Sequence, residues 1–371
     1  MNRTFLKYPV IIAAATVFCT ACNNSGSNDA AVASETTAAD TTKKPKPISE
    51  PLVTDIYTAD PSAHVFEAKI YIYPSHDIDA GTPENDMGDH FDMRDYHIFS
   101  MDSIGAPVKD HGVALDIKDI PWAGRQLWAP DAAFANGKYY LYFPVKAKSD
   151  DAFRIGVATS ASPAGPFKAE AEPIKGSYSI DPTVFKDTDG THYMYFGGIW
   201  GGQLQRWSNG KYDSAGSKTD LQKDDQPAIG PRVAKMDKNM LQFAEPVKEI
   251  QILDKEKKPI LGKDHDRRFF EAAWIHKYNN KYYFSYSTGD SHKIVYAIGN
   301  TPYGPFIFQG EILSPVVGWT THHSIVEIDN KWYLFYHDSK PSGGHNNLRS
   351  IKVRELFYDK NGMIKPMNGK D

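Results

Sequence analysis

From residue 50 onward the apolar positions come in short runs, not in the spaced stripes of amphipathic helices. Lys69-Ile-Tyr-Ile-Tyr73, Lys138-Tyr-Tyr-Leu-Tyr-Phe143 and Lys331-Trp-Tyr-Leu-Phe-Tyr336 are aromatic and β-branched, and turn residues bound them. Such runs predict strands. Gly-Lys and Asn-Lys pairs stand just before several of them, where hairpin turns belong. No stretch predicts a long helix.

The runs recur within a larger unit. Five segments share a polar anchor, a short apolar stretch, a turn and an aromatic strand. The anchors are Asp60, Asp131, Asp181, Glu271 and His322, and their strands begin 9, 7, 10, 10 and 9 residues later. Successive anchors are 71, 50, 90 and 51 residues apart, so each interval has room for two further strands and loops. A second echo supports the repeat. Val157 to Phe167 and Tyr296 to Phe306 both end in Pro-x-Gly-Pro-Phe and look like a third strand running to a rim. Multi-stranded repeats of this kind predict a propeller. The expected fold is all-β, a five-bladed β-propeller over residues 50–371, with four strands per blade. A β-sandwich with coincidental hairpins would not place a polar anchor in every unit.

Composition adds the setting. The formal charge of −4 and the absence of a basic, aromatic-laced cluster exclude a nucleic-acid partner. Arg3 and Lys7 precede an apolar run from Tyr8 to Phe18, too short to span a bilayer with ease. The run leads to Cys19-Thr20-Ala21-Cys22, which resembles a lipobox, with Cys19 where Leu is usual. The expectation is a signal peptide over 1–21, lipidation of Cys22 and a flexible tether over 22–49. The protein would then be exported and lipid-anchored at the bacterial outer membrane or cell surface, or periplasmic; a plain cleavable signal is the alternative. Both cysteines lie in this segment, so the chain beyond Cys22 has neither a disulfide nor a cysteine metal site. The sequence carries no sign of oligomeric state.

In a propeller the start of each innermost strand faces the central channel, so the five anchors are expected to meet in one cavity. Carboxylates gathered there repel one another, which points to chemistry and away from structure. Two carboxyl groups flanking a bond, one ionised and one protonated, are the minimal equipment for glycoside hydrolysis. Asp60, in Ala59-Asp60-Pro-Ser62, has donors nearby and suits a base. Glu271, between Phe269-Phe270 and Ala272-Ala-Trp274, has an apolar setting that raises its pKa and suits an acid. Asp181 would raise Glu271 further by like-charge repulsion. Taken alone, an Asp-Pro is more often a turn than a catalyst; the shared register carries the reading.

At these residues the chain resembles glycoside hydrolase family 43, five-bladed propellers acting on arabinose- and xylose-containing polysaccharides. The resemblance spans about residues 51–365. It rests on Asp60-Pro-Ser, Trp128-Ala-Pro-Asp131, Ser179-Ile-Asp181-Pro-Thr-Val-Phe, Phe270-Glu271-Ala-Ala-Trp, Thr321-His322-His323-Ser324 and Leu348-Arg349-Ser350-Ile351. Many relatives carry Glu-Gly-Pro or Glu-Ala-Pro at the acid. Glu271-Ala-Ala-Trp departs from that and matches branches acting on arabinofuranosides and xylosides, as do Tyr73-Pro-Ser-His76-Asp77 and Met93-Arg94-Asp95-Tyr96. The resemblance implies an inverting mechanism with Asp60, Asp181 and Glu271 in the roles above. It implies that His322 helps hold a channel metal, often calcium, usually through water. It also implies that Arg349 reaches into the pocket. Asp131 is an expected substrate contact, and Trp128, Phe196 and Trp274 are candidate pocket walls or else core aromatics. The implied enzyme is exo-acting and releases terminal α-L-arabinofuranosyl or β-D-xylosyl residues from an oligo- or polysaccharide. The alternatives are a non-catalytic sugar-binding propeller and a retaining fructan-type propeller, which would carry Asn-Asp-Pro-Asn. Zinc hydrolysis is weaker still, since His322-His323 has no His-Glu-x-x-His context.

Overall fold

The computed structural model describes residues 47–49, 51–219 and 223–371. The expected signal peptide, Cys22 and most of the expected tether lie outside the described residues. No helix among the described residues is long and apolar enough to cross a membrane.

The aromatic runs become the second strands of five antiparallel blades. Blade 1 is Tyr57–Phe66, Lys69–Asp77, Asp95–Met101 and Lys109–Asp116. Blade 2 is Asp131–Ala135, Lys138–Ala147, Phe153–Ser160 and Lys168–Ala169, with Ala123–Leu127 also on its second strand. Blade 3 is Thr183–Lys186, His192–Phe196, Arg232–Lys235 and Lys248–Glu249. Blade 4 is Phe269–Tyr278, Lys281–Thr288, Ile294–Gly299 and Phe306–Leu313, edged by the parallel strand Ile252–Leu253. Blade 5 is His323–Ile328, Lys331–Asp338 and Ser350–Leu356.

Blade 5 takes its fourth strand from the other end of the chain. Pro47–Ser49 pairs antiparallel with Ser350–Leu356, so the sheet begins inside the stretch that composition reads as tether. This contact closes the ring and covers the edge that an open sheet would expose.

The near-continuous apolar runs have a packing reason. Alternate residues of a strand face opposite sides, and each propeller blade is covered on both. In Lys69–Asp77, Tyr71 and Tyr73 pack into the layer shared with blade 2, while Ile70 and Ile72 pack into the layer shared with blade 5. Leu141 and Phe143 face blade 1, whereas Tyr140 and Tyr142 face blade 3. Blades 3 and 4 meet through Tyr195 and Phe284, and blades 4 and 5 through Tyr283 and Leu334. Five apolar layers therefore sit between five blades.

The Pro-x-Gly-Pro-Phe echo is the turn after each third strand, not the strand itself. Both copies have a cis Gly-Pro peptide, and both bury the following Phe167 or Phe306.

Candidate active site

Four of the five anchors line one cavity of about 330 Å³ at one end of the channel: Asp60, Asp181, Glu271 and His322. Each carboxylate is presented by a departure from regular strand. One extra residue bulges between Ala59 and Ser62 opposite Ser75 and Tyr73, and another between Glu271 and Trp274 opposite Ser287 and Ser285. Bulges re-aim side chains and gather beside functional sites. Asp60, Asp181 and Ala272 have φ of +52°, +56° and +61°, a region that costs about 1–3 kcal/mol for a non-glycine residue. The surrounding sheet holds that strain in place.

The fifth anchor does not reach the cavity. Asp131 starts only 7 residues before its strand, against 9 or 10 elsewhere. At about 3.4 Å per residue, two residues place it about 7 Å further along the channel. The position in register with the acids is Ala129, which lines the cavity instead. Asp131 is buried and ties three blades together. Its carboxylate accepts from Ser62 Oγ, from His64 Nε2 at 2.7 Å and from the Val184 amide at 2.5 Å. The expected substrate contact is therefore an internal brace.

Two of the three expected walls are likewise corrected. Phe196 is fully buried in the layer between blades 2 and 3. Trp274 lies beyond the acid end of the channel, where its Nε1 donates to the Ile325 carbonyl and its ring stands 5.8 Å from His64. Three residues past Glu271 a side chain has already left the acid end, whereas Phe196 ends the strand paired with Thr183–Lys186 and turns its ring into the layer between blades. Trp128 does line the cavity, fixed by donation from Nε1 to the Phe91 carbonyl at 2.8 Å. The remaining wall comes from Phe270, beside the acid at the start of its strand, and from Trp200 and Trp319, outside the strands, which the motifs did not single out; the three rings stand 5.5–6.0 Å apart.

Arg349 is buried in the cavity wall, and all three of its guanidinium nitrogens donate. Nε and Nη2 fork onto Asp77 at 2.8 and 2.7 Å. Nη1 donates to Asp60 Oδ1 at 3.0 Å and to Thr320 Oγ1 at 3.2 Å, and the guanidinium lies 4.8 Å from the Phe91 ring centre. Asp77 is thus a member of the site. So is His337, whose Nδ1 accepts the Asp60 amide proton at 3.0 Å and whose Nε2 then donates to the Thr320 carbonyl at 3.1 Å. Antiparallel counting could have found both. Ser75 and Asp77 close the strand opposite Asp60, and His337 ends the strand opposite His322.

The carboxyls are driven to opposite states. Burial pushes Asp60 up, but Arg349 first, then His337, His322 and the Ser75 hydroxyl at 2.7 Å, outweigh it and hold Asp60 at about 2. Glu271 is pushed up to about 8, by burial and then by the Asp60 charge, with Arg349 opposing. Asp181 is pushed well above the usual range by burial, then by Glu271 and Asp60, although the Ala272 amide donates to it at 2.7 Å. Repulsion between Asp181 and Glu271 is mutual, so the two titrate as a pair. The pair keeps a proton near neutral pH beside an ionised Asp60. Burial, not Asp181, is the main cause of the Glu271 rise.

His322 bridges this set. Its Nδ1 stands 3.6 Å from Asp60 and 3.8 Å from Asp181, and burial holds the ring neutral with a pKa of about 4. Both separations exceed hydrogen-bond length. A neutral imidazole facing two carboxylates fits a hydrated cation in the channel, for which calcium would take mostly oxygen ligands.

Gly198 packs against Ile180 with no room for a side chain, and beside Glu271 with little. A Cβ there would stand 2.5 Å from Ile180 Cδ1 and 3.2 Å from Glu271 Cβ. Gly198→Ala should therefore displace Glu271 and lower kcat about 10–100-fold. Steady-state kinetics with circular dichroism as a folding control checks this; unchanged kcat would show that the contact relaxes freely.

Known proteins share both the fold and the sequence. Residues 53–364 match the family model described as Glycosyl hydrolases family 43. A xylosidase/arabinosidase from Bacteroides ovatus is 58% identical over 321 residues, covering 86% of this chain and 98% of that protein. A xylosidase/arabinosidase from Humicola insolens is 60% identical over 320 residues, covering 85% and 98%. The crystal structure of a β-xylosidase/α-arabinofuranosidase from a compost microbial metagenome, in complex with xylotriose and in calcium-free form, superposes with a TM-score of 0.86. It is 72% identical and the match covers 88% of this chain and 99% of that one. With the propeller, the cavity of acids and these matches in hand, the chain belongs to glycosyl hydrolase family 43.

Proposed function

We propose that this glycoside hydrolase removes terminal β-D-xylosyl and α-L-arabinofuranosyl residues from hemicellulose oligosaccharides by single displacement with inversion. The observation that carries the reading is the pairing of an ionised Asp60 with a protonated Glu271–Asp181 pair in one cavity. Asp60 takes the proton of the attacking water while Glu271 protonates the leaving oxygen, which the inverting geometry separates by about 6.5–9.5 Å from the base. Arg349 keeps Asp60 ionised and correctly aimed. The cavity, about 330 Å³, is at the small end of ligand sites and suits a chain end over a through-running polymer. Trp128, Phe91 and Trp319 supply apolar faces for the sugar ring. The xylotriose bound by the compost relative supports an oligosaccharide substrate.

Two aryl glycosides test the reading, the β-D-xyloside and the α-L-arabinofuranoside, with proton NMR of the first-formed sugar. The expected result is release of pentose from at least one, with the anomeric configuration inverted. Retained configuration would overturn the roles given to Asp60 and Glu271.

The proposal extends to two further points. Calcium in the channel would be held through water by His322 and would supply positive charge against the developing negative charge of the carboxyl cluster; the calcium-free description of a relative supports looking for it. Export with lipid anchoring through Cys22 follows from the N-terminal sequence, and Cys22→Ser should release the protein from the membrane fraction.

A further inference from the structure

Blade 1 carries a second group of charged side chains, separate from the cavity. His76, Asp95 and His97 present one ligand atom each, all within 4.8 Å of one another, the one such His-containing cluster among the described residues. His76 ends the second strand; Asp95 and His97 open the third, two residues apart and so on the same face. His76 Nδ1 lies 2.7 Å from Asp95 Oδ1. His97 Nε2 faces the same oxygen at 4.0 Å. Behind it, His97 Nδ1 meets both oxygens of Asp110 on the fourth strand, at 3.0 and 3.1 Å.

That last contact gives the cluster its direction. Asp110 can only accept, so the proton of a neutral His97 sits on Nδ1, and the Nε2 lone pair points at the Asp95 carboxylate. Two acceptors facing each other at 4.0 Å repel unless a cation lies between them. A carboxylate fixing the far nitrogen of an imidazole is also the usual outer partner of a metal-bound histidine.

We propose that His76, Asp95 and His97 form a binding site for a divalent transition metal of the zinc class, with Asp110 as its outer support. Two imidazoles and one carboxylate suit zinc or cobalt and not calcium, which takes oxygen. Ligands at about 2.0–2.2 Å from a tetrahedral metal stand about 3.4 Å apart. His76 and Asp95 need to open by less than 1 Å for this, and His97 to close by a similar amount. On binding, His76 gives Nδ1 to the metal and carries its proton on Nε2. The three side chains are between 16% and 23% exposed, so the fourth position opens to solvent. The metal would clamp two strands of blade 1, and through Asp110 a third. His76 precedes Asp77, the residue that holds Arg349, so the clamp steadies the strand end on which the cavity wall depends.

Cobalt titration of the chelator-stripped full-length chain tests this, read by visible d–d absorption and by Tm. The expected result is one tetrahedral cobalt band with a concentration-dependent rise in Tm. His322→Ala, which removes the channel histidine, should keep the band. His97→Ala should lose it, and Asp110→Asn, which keeps the fold and the first ligands, should weaken binding about 10–100-fold. No cobalt band in the wild-type chain would overturn the proposal. So would a band that survives in His97→Ala, an affinity left unchanged in Asp110→Asn, or a band that disappears in His322→Ala.

Discussion

Glu271→Gln should lower kcat on xylo-oligosaccharides by about 100- to 10,000-fold, the usual worth of a positioned general acid, with KM changed little. The amide fills the same space and cannot donate a proton to a departing sugar oxygen as an acid can. Aryl glycosides with acidic phenols need little protonation, so the loss on them should be much smaller. That contrast separates loss of an acid from general damage to the cavity. The pH profile supplies the sign. Glu271 is raised to about 8, and the protonated form is the active one. Wild-type kcat/KM should therefore fall as pH rises through about 8, and Glu271→Gln should lack this limb. Wild-type stability should fall with rising pH as well. A carboxyl whose pKa is raised in the fold stabilises it fully below its unfolded value near 4.5 and loses that contribution as pH rises through about 8. Glu271→Gln cannot ionise, so its Tm should exceed that of the wild type above pH 8, with the difference fading toward pH 4. An unchanged alkaline limb in the variant would assign the limb, and the acid, to another group.

The parts of this molecule that could be read from sequence are those set by local register. Runs such as Lys69-Ile-Tyr-Ile-Tyr73 are apolar on both faces because each blade is sandwiched, and that pattern is visible in any one blade. Asp60, Asp181, Glu271 and His322 share an offset from their strands, and the same offset brings them to one end of the channel. Asp131 misled through composition: it is an acid in the right motif but two residues out of register, and Ala129 holds its place. Trp274 misled because proximity in sequence to Glu271 says nothing about which end of a strand a ring faces, and Phe196 because a strand that ends near the cavity can still turn its ring into the layer between blades. The link between Arg349 and Asp77 spans 272 residues and exists only because the last blade closes on the first. The wall aromatics Trp200 and Trp319 lie outside the strands, beyond the reach of any strand register.

Arg349→Met should be the most damaging single change in the cavity, for stability and for catalysis together. The substitution keeps much of the volume and the contact with Phe91 but removes the charge. Asp77 then loses both arms of its fork, and Asp60 loses the cation 3.0 Å away. Leaving buried charges without their partner costs about 3–5 kcal/mol, which should appear as a drop in Tm of several degrees. Catalysis suffers by a distinct route. The largest opposing influence on Asp60 is burial, and Arg349 is the first of the groups that overcome it. Without that cation Asp60 should titrate upward from about 2, so the acid limb of the kcat/KM profile should move up toward neutral while the alkaline limb shifts less. The bell narrows from its acid side, and activity at pH 5 falls more than at pH 7. Arg349→Lys keeps a charge but not the planar fork, so it should lose stability while holding the acid limb closer to that of the wild type. Asp77→Asn completes the comparison, because it weakens the fork and leaves the Arg349–Asp60 pair intact. Its Tm should fall, and its pH profile should stay close to the wild-type one. If Arg349→Met lost Tm without moving the acid limb, Arg349 would be a brace for Asp77 alone, and the ionisation of Asp60 would rest on Ser75, His337 and His322.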